Sequence, residues 1–560
     1  MATSAKQALR NEIGSNVGLR FQIHCISISR RCTTNIGYEV NVEPPMPSQQ
    51  QAPTDMAPNG LRAGPSAFNG GSARGVAHIL DGAIFLFLCL FAILLPHSIK
   101  GSQHAWQLAF VLWLVKLAVT RTRPIPQPLS APLLAYVTLS GISTALSPDP
   151  ALSWDRMKIV CLLLVGIVFA QNLRRLKQVR TLVFLLILSG LAAAGFTFWQ
   201  YSYGVGVGIL RMQAAAPLYH SAHLHHQDII TRINGQKVHT PDGLVEAVLA
   251  APTGTMLRVD YVRGFPFHPG VSFLTREQMI ASGLGTPALQ FVRGKPLKAQ
   301  GTLGHYVFFA EMVMQIGCMA WAMLLCADPR KQGVRLLLAI AFVALAGALF
   351  LTETRAALAG LAFGSFVAVL MLTGKRSRLW ASVVLLLFVL TSAMWVYHTR
   401  GAQALGGNDP GTHFRTMMWE DGLRLIRQHP WFGVGMETIR THWKEWDIRA
   451  FSFFHDESHF HNDMIQIAVE RGLPALAAWL WFVVAYIVLL LRLIRRARTR
   501  SRFLTGAATG VLASFAAFQL TALVHYDLGI ESVAMILFFY FGLAIAMDHM
   551  LENPGALDVP

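Results

Sequence analysis

The densest group of side chains that could do chemistry lies within residues 455–470, directly before a long apolar run. It combines three histidines with several carboxylates and two amides, a costly set of groups at the mouth of a membrane helix unless they are used. If the helix begins near His461, then Asn462, Gln466 and Glu470 are four residues apart and share one face. The stretch is therefore a candidate functional site.

A second candidate is Arg355, which stands in the short connection Thr352–Ala356 between two apolar runs. The connection is too short to form a free loop, so the guanidinium is held at the membrane boundary. Planar guanidinium donors bind phosphate oxygens in pairs, which makes this position suitable for a phosphate group. The simpler interpretation is an arginine that extends to the interface and pairs with Glu353.

The elements that must position these groups are membrane helices. Of the 560 residues, 53% are hydrophobic and 14% are charged, and the mean hydropathy is +0.44, which is too apolar for a soluble globular protein. The net charge of +17 does not indicate nucleic acid, because the basic residues recur as short clusters between apolar runs. The composition predicts an all-α polytopic membrane protein.

Apolar runs of spanning length predict about twelve transmembrane helices. They fall near 78–96, 104–120, 129–146, 157–171, 181–200, 305–327, 334–351, 356–373, 379–398, 473–491, 503–523 and 530–547. Counting connections from a cytoplasmic N-terminus puts every dense basic cluster on the cytoplasmic side, as the positive-inside rule requires. Both termini are then cytoplasmic, and the long connections 201–304 and 399–472 face outside.

The remaining segments complete the predicted organisation. The Gly-, Pro- and Ser-rich N-terminus predicts a disordered tail, and neither outer connection contains a cysteine, so both fold without disulfides. In order, we predict a disordered cytoplasmic tail at 1–75, five spans within 78–200, an insert at 204–266, an irregular connection at 267–304, four spans within 305–398, a large outer loop at 399–472, three spans within 473–547 and a cytoplasmic tail at 548–560.

The insert at 204–266 resembles a bacterial PDZ domain, a small α+β module. The resemblance is carried by a Gly-rich segment, a hairpin with Asn234-Gly235 at its turn, one helix and a closing strand, in that order. It implies that the Gly-rich segment offers backbone N–H groups to a protein C-terminus beside a groove that takes up an added strand. Those residues are Tyr203, Gly204, Val205, Gly206 and Val207. The alternative is a module that serves only as a spacer.

The rest of the chain, from about 78 to 547, resembles the O-antigen ligase and polymerase family of membrane glycosyltransferases, which includes protein O-oligosaccharyltransferases. Three landmarks carry the resemblance. They are Thr352-Glu-Thr-Arg355 between two spans, Arg415 and Trp419 followed by His429-Pro-Trp-Phe-Gly-Val-Gly435 in the large outer loop, and His459-Phe-His461-Asn462-Asp-Met-Ile-Gln466 with Glu470-Arg-Gly472 at the next span. One departure is Glu353-Thr354, where many relatives have a smaller polar residue before the arginine.

The resemblance implies an inverting transfer of a glycan from an undecaprenyl-diphosphate carrier to an acceptor hydroxyl on lipid A-core, a glycan or a protein, at the periplasmic face of a bacterial inner membrane. Arg355 and Arg415 would hold the diphosphate, and His461 would be the catalytic base. Substrate contacts would come from His459, Asn462, Gln466, Glu470 and Trp419. No metal or cofactor is expected. The residue types suit this chemistry, since cations take up the charge of a diphosphate leaving group and histidine ionises near neutral pH.

Three other interpretations remain open at this point. His455, His459 and His461 could bind zinc, although the sequence is not His-Glu-x-x-His. A transporter with the same helix count would also place polar groups near the membrane, but here they concentrate in the outer connections. A PDZ-bearing scaffold or protease adaptor is the third, and no Ser/His/Asp arrangement supports peptide cleavage.

Overall fold

The computed structural model describes residues 70–203, 206–212, 216–225, 228–263, 268–294, 299–400, 410–452 and 459–552. Most of the tail predicted at 1–75 lies outside these residues. Its last part, however, is helical, because helix α1 begins at Gly70 and no proline follows Pro65 until Pro96. The tail predicted at 548–560 is likewise helical as far as Glu552.

The first helices precede the insert and the others follow it. The first six are α1 (Gly70–Leu94), α2 (Ile99–Thr120), α3 (Ser130–Ala145), α4 (Pro150–Val160), α5 (Leu163–Asn172) and α6 (Leu176–Tyr203). After the insert come α10 (Tyr306–Cys326), α11 (Gln332–Leu351), α12 (Arg355–Leu372), α13 (Lys375–Arg400), α14 (Pro410–Gln428), α15 (Ile439–His442), α16 (Asp463–Ala497), α17 (Arg502–Thr521) and α18 (Glu531–Glu552). Short 3-10 turns lie at Arg449–Ser452 and Asp527–Gly529.

Within the described ranges, eight helices are long and apolar enough to cross a membrane: α1, α6, α10, α11, α12, α16, α17 and α18. The chain is therefore a multi-pass membrane protein. The other predicted spans correspond to α2, α3, α13 and the pair α4–α5, and the count of twelve stays a prediction. The apolar run 157–171 is not one helix, because α4 and α5 meet at Cys161 and Leu162.

Three helices of the bundle, α10, α12 and α17, approach each other closely through glycines. Gly360 and Gly364 of α12 are four residues apart, and a methyl group added to either would collide with α10 or α17. Gly506 and Gly510 of α17 have the same spacing, and Gly510 lies directly against Met319 of α10. Small residues at this spacing let membrane helices pack backbone to backbone. This packing sets the relative heights of the helix ends that surround the candidate site.

The insert is a six-stranded antiparallel sheet with its own hydrophobic core. Its elements are β1 (Gly206–Arg211), α7 (Pro217–His220), β2 (Ile229–Ile233), β3 (Gln236–Lys237), α8 (Pro241–Leu249), β4 (Met256–Arg263), β5 (His268–Thr275), α9 (Arg276–Ala281) and β6 (Gln290–Gly294). The strand order is β5-β4-β2-β1-β6, and β3 pairs with β2. The hairpin prediction is confirmed, since Asn234 and Gly235 both have positive φ between β2 and β3.

The irregular connection predicted at 267–304 is wrong. This stretch contains β5, α9 and β6, and the insert therefore extends to Gly294. The prolines of this stretch are compatible with the sheet: Pro269 lies in an edge strand, where a missing N–H leaves no gap in the sheet, and Pro287 lies in the turn before β6. Thr275 and Gln278 form a reciprocal cap at the start of α9.

The loop predicted to bind a peptide terminus has a different structure where it is described. Tyr203 is the last residue of α6, while Gly204 and Val205 lie outside the described residues. Gly206 and Val207 belong to β1, which pairs with β2 on one side and with β6 on the other. An added strand would need a free edge at β1, and the chain's own β6 occupies it. The predicted strand-addition site beside Val207 is therefore wrong.

The extended boundary of the insert predicts which fragment folds. Met279 and Leu289, from the segment after 266, are buried in the insert core. We expect a soluble fragment 204–298 to unfold cooperatively on heating, because its core and the pairing of β1 with β6 are complete. A fragment 204–266 should show no cooperative transition by circular dichroism. Equal melting curves for the two fragments would contradict the boundary.

Candidate functional site

The start of α16 is fixed by Asn462, which caps the helix. Its side-chain oxygen accepts a hydrogen bond from the backbone N–H of Ile465 (3.0 Å), and its amide nitrogen donates to the carbonyl of Leu523 (2.9 Å). The backbone N–H of Asp463 donates to the carbonyl of Ala522 (2.8 Å). The predicted helix start near His461 thus agrees with the structure, and these bonds tie it to the segment that follows α17.

Phe460, between the two histidines, is held from both sides. Its backbone N–H donates to Oε1 of Gln466 (2.7 Å), and its carbonyl accepts from the indole N–H of Trp419 on α14 (3.1 Å). Its side chain is fully buried. These contacts hold the backbone from which the flanking His459 and His461 extend.

The imidazoles of His459 and His461 form a partly buried pair at the mouth of α16. Their ring centroids are 4.3 Å apart, and the ring of His459 lies 5.9 Å from that of Tyr526. The edge of Phe414 lies against His461, with 6.4 Å between centroids. His461 has φ of +49°, a left-handed conformation that costs free energy in a residue other than glycine. The surrounding contacts hold His461 in this unfavourable backbone conformation.

Gln466 and Glu470 share one helix face, as predicted, but they are buried inside the protein. Nε2 of Gln466 donates to Oε1 of Glu470 (2.9 Å), which also accepts from the backbone N–H of Glu437 (3.0 Å). Oε2 of Glu470 accepts from the hydroxyl of Tyr526 (3.4 Å) and lies 3.5 Å from the guanidinium of Arg471. Both side chains therefore bind protein groups and position the segments around the histidines.

Helix α16 breaks at Gly472, and the break connects the helix to the outer loop. Pro474 has no N–H, so it cannot make the helical hydrogen bond to the carbonyl of Glu470. That carbonyl instead accepts from the backbone N–H of Gly435 (2.9 Å) and from the hydroxyl of Ser143 (2.7 Å). The N–H of Leu473 donates to Pro430 O (2.8 Å), and the carbonyl of Val469 accepts from Val434 N (2.9 Å). Groups released by the broken helix thus bind the segment 430–435.

Three glycines make this contact possible. Gly433, Gly435 and Gly472 all have positive φ, and each lies where a side chain would collide with its neighbours. A Cβ on Gly472 would lie 2.2 Å from the carbonyl oxygen of Trp431, and one on Gly433 would lie 2.4 Å from that of Val469. The motif His429-Pro-Trp-Phe-Gly-Val-Gly435 is therefore a docking segment for the kink.

Arg415 and Trp419 lie on α14, which packs across the start of α16. Arg415 is half-buried and directly follows Phe414, the residue in contact with the His461 ring. The helix is anchored by Asp421, whose buried carboxylate accepts from the backbone N–H and the Nε of Arg449, both at 2.9 Å. The structure thus brings the Arg415 segment and the histidine pair together.

Arg355 is exposed at the first residue of α12, after a tight turn. Thr352 accepts from the backbone N–H of Thr354 (3.3 Å), and Glu353 has φ of +54°. Gly360, further along α12, packs against Thr521 at the end of α17. Because the two helices run in opposite directions, Arg355 lies at the same end of the bundle as the segment that contacts Asn462 and Asp463.

Several residues of this region had not been singled out from the sequence. Tyr526 touches His459 and Glu470, and burial followed by the nearby Glu470 carboxylate raises the pKa of its hydroxyl. Arg471 is buried and donates to the hydroxyl of Tyr136 (2.7 Å). For Tyr526, the sequence signal that could have identified it is the polar run His525-Tyr-Asp527 between two apolar runs, since charged groups at membrane depth are seldom without a role.

Comparison with known families gives a match. Residues 340–480 match the family described as O-Antigen ligase. This range includes α12, α14 and the mouth of α16, and it contains every site residue predicted outside the insert. A comparison with curated proteins gives no match. The match supports a membrane glycan-transfer role in polysaccharide biosynthesis.

The kink predicts a sharp difference between two glycine substitutions. Gly472→Ala should destabilise the protein by about 1–3 kcal/mol from the backbone conformation alone, because φ of +83° with ψ of +169° is essentially restricted to glycine, and further through the contact with Trp431. Gly333→Ala is the matched control, because Gly333 lies in helix α11 with open space around its Cα. Thermal unfolding in detergent should show a lower midpoint for Gly472→Ala only. An unchanged midpoint would mean that the kink does not require glycine.

Proposed function

We propose that the chain transfers a glycan from an undecaprenyl-diphosphate carrier to an acceptor hydroxyl at the outer face of a bacterial inner membrane. The observation that carries the proposal is the histidine pair fixed at the mouth of α16, within the segment that matches the O-antigen ligase family. The acceptor is lipid A-core, another glycan or a protein hydroxyl, and all three supply the same nucleophile.

In the proposed reaction His461 acts as the general base. The acceptor oxygen attacks the anomeric carbon of the glycan, while the bond between that carbon and the diphosphate oxygen breaks. The acceptor proton passes to the imidazole of His461, and the electron pair of the broken bond leaves with the lipid diphosphate. Attack opposite to the leaving group inverts the anomeric centre. The contacts of Phe460 and Phe414 support this role, because a base must be held in one direction to meet the acceptor proton.

Arg355 and Arg415 are proposed to take up the charge that develops on the diphosphate. Arg415 lies on the helix that contacts His461, and Arg355 lies at the same end of the bundle. Fixed guanidinium groups are suited to this task because they bind two oxygens at once and need no reorganisation as charge builds up. Their anchored surroundings, the Asp421–Arg449 contact and the Thr352 turn, support such a role.

His459, Asn462 and Trp419 are proposed to complete the site. The ring of His459 lies between those of His461 and Tyr526, so it can orient the base or contact the sugar. Asn462, Trp419, Gln466 and Glu470 already bind protein groups, which favours positioning of the histidines over direct sugar binding.

Exposed apolar side chains border the same mouth and suit the lipid tail of the carrier. Trp431 is 70% exposed and Phe432 41%, and both belong to the segment docked on the kink. Leu473 and Leu523, at 44% and 46%, lie beside the kink and beside the contact of Asn462. Apolar surface next to a charged site allows a polyprenyl chain to stay in the bilayer while its diphosphate reaches the arginines.

The base assignment is tested at His461. We expect His461→Asn to lower transfer about 10²–10⁴-fold while membrane abundance stays normal, because asparagine tolerates the left-handed backbone but cannot take up a proton. His442→Asn, which changes an imidazole elsewhere in the outer loop, is the control. Transfer is measured as loss of lipid-linked glycan and gain of modified acceptor in cells lacking the native protein. Normal transfer by His461→Asn would reject the base assignment.

The arginine assignment is tested by substitutions that keep the positive charge but remove the planar guanidinium group. Arg355→Lys and Arg415→Lys should each lower transfer roughly 10–100-fold, since a hydrogen bond to a charged group is worth about 1.5–3 kcal/mol. Arg427→Lys, an exposed position on the same helix as Arg415, should leave transfer unchanged. If Arg355→Lys were fully active, Arg355 would be only an interface anchor.

A further inference from the structure

We propose that Glu311, His525 and Asp527 bind a divalent transition-metal ion beneath the mouth of α16. Glu311 lies on α10, and the other two follow the end of α17. Each offers one ligand atom, and these atoms all lie within 4.8 Å of one another. The proposal does not depend on the glycan-transfer function, because it concerns the occupancy of a separate cluster.

The distances within the cluster fit ligands that share one ion. Nδ1 of His525 lies 3.2 Å from Oε1 of Glu311 and 3.9 Å from Oδ1 of Asp527. Nitrogen and oxygen ligands bind zinc at about 2.0–2.2 Å, which puts neighbouring ligands in a tetrahedron roughly 3.3–3.6 Å apart. Small rotations of two carboxylates would therefore complete the arrangement.

Two carboxylate oxygens of the cluster have no hydrogen-bond partner among the described residues, and this is the independent sign of a ligand. They are Oε2 of Glu311 and Oδ1 of Asp527, and both side chains are fully buried. Oδ1 is also the atom of Asp527 nearest to His525, so it points into the cluster. The other oxygen, Oδ2, accepts from the hydroxyl of Thr521 (2.6 Å). A buried carboxylate oxygen without a partner is costly unless a cation binds it.

Charge balance also favours a divalent ion. Two ionised carboxylates and a neutral imidazole have a net charge of −2, which a divalent cation cancels inside the helix bundle. A protonated His525 would leave one negative charge uncompensated within the cluster. The imidazole ligand favours a transition metal such as zinc, and the two carboxylates also suit manganese, whereas magnesium and calcium prefer oxygen ligands only. His525 keeps 14% of its side chain exposed, so the cluster is not completely enclosed by protein.

The ion would fasten the segment that supports the histidine pair. Between Thr521 and Gly529 lie the carbonyls of Ala522 and Leu523, which bind Asp463 and Asn462, and the ring of Tyr526 beside His459. An ion joining Glu311 to this segment would fix it against α10. Its binding free energy would then add to the stability of the whole site end of the protein.

The test is the metal content of the full-length protein purified without a histidine tag and without chelator. After dialysis against zinc or manganese, we expect about one tightly held ion per chain by mass spectrometry, and less than about one tenth in Glu311→Gln and His525→Gln. Glu445→Gln and His442→Gln are matched controls, because these residues form an exposed carboxylate–imidazole pair at 2.9 Å. They should retain the ion.

A second measurement covers variants that fail to fold. Chelation should lower the unfolding temperature of the wild-type protein, and zinc or manganese should restore it whereas magnesium should not. A wild-type chain that holds less than about one tenth of an ion after loading would overturn the proposal. So would equal metal content in cluster and control variants. Either result would mean that protons, with a charged His525, neutralise the carboxylates.

Discussion

The rest of the candidate site depends on the break in α16 at Gly472 and Pro474. A continuous helix would have satisfied its own carbonyls at Val469 and Glu470, and nothing would then have drawn the segment 430–435 against it. The break releases these groups, and the outer loop binds them because backbone polar groups must be satisfied in or near a membrane. The backbone turn at Gly472 and the missing N–H of Pro474 thus convert a transmembrane helix into the anchor of a large loop.

From this anchor the contacts extend towards the histidines through a chain of buried hydrogen bonds. Glu470 binds the loop at Glu437 and the preceding turn of its own helix at Gln466, and Gln466 then holds the backbone of Phe460. Trp419 on α14 donates from its indole N–H to the carbonyl of the same Phe460. Buried hydrogen bonds of this kind stiffen the segments that they join. Rigidity here explains why His461 keeps a backbone conformation that it would not adopt in a free loop.

The helix bundle determines which helix ends lie next to the candidate site. Close packing of α10, α12 and α17 through glycines brings the start of α12 and the end of α17 to the end of the bundle where α16 begins. Arginine, tyrosine and carboxylate side chains from distant parts of the sequence therefore lie at the same end of the bundle. The insert, by contrast, has its own core and a sheet in which β1 is paired on both edges. Its strand arrangement does not offer the groove that its Gly-rich start suggested.

The sequence by itself determined the membrane class, the candidate site at the mouth of α16 and the match of 340–480 to the O-antigen ligase family, because hydropathy and local motifs are short-range properties. It also determined the hairpin at Asn234-Gly235, since Asn and Gly are the residues that most readily adopt the two positive φ angles of a tight hairpin turn. Only the tertiary structure decided that Gln466 and Glu470 face inwards, that β6 closes the sheet of the insert, and that Glu311 meets His525 and Asp527. These contacts join residues far apart in the chain, and no local pattern specifies which distant partner a buried group finds.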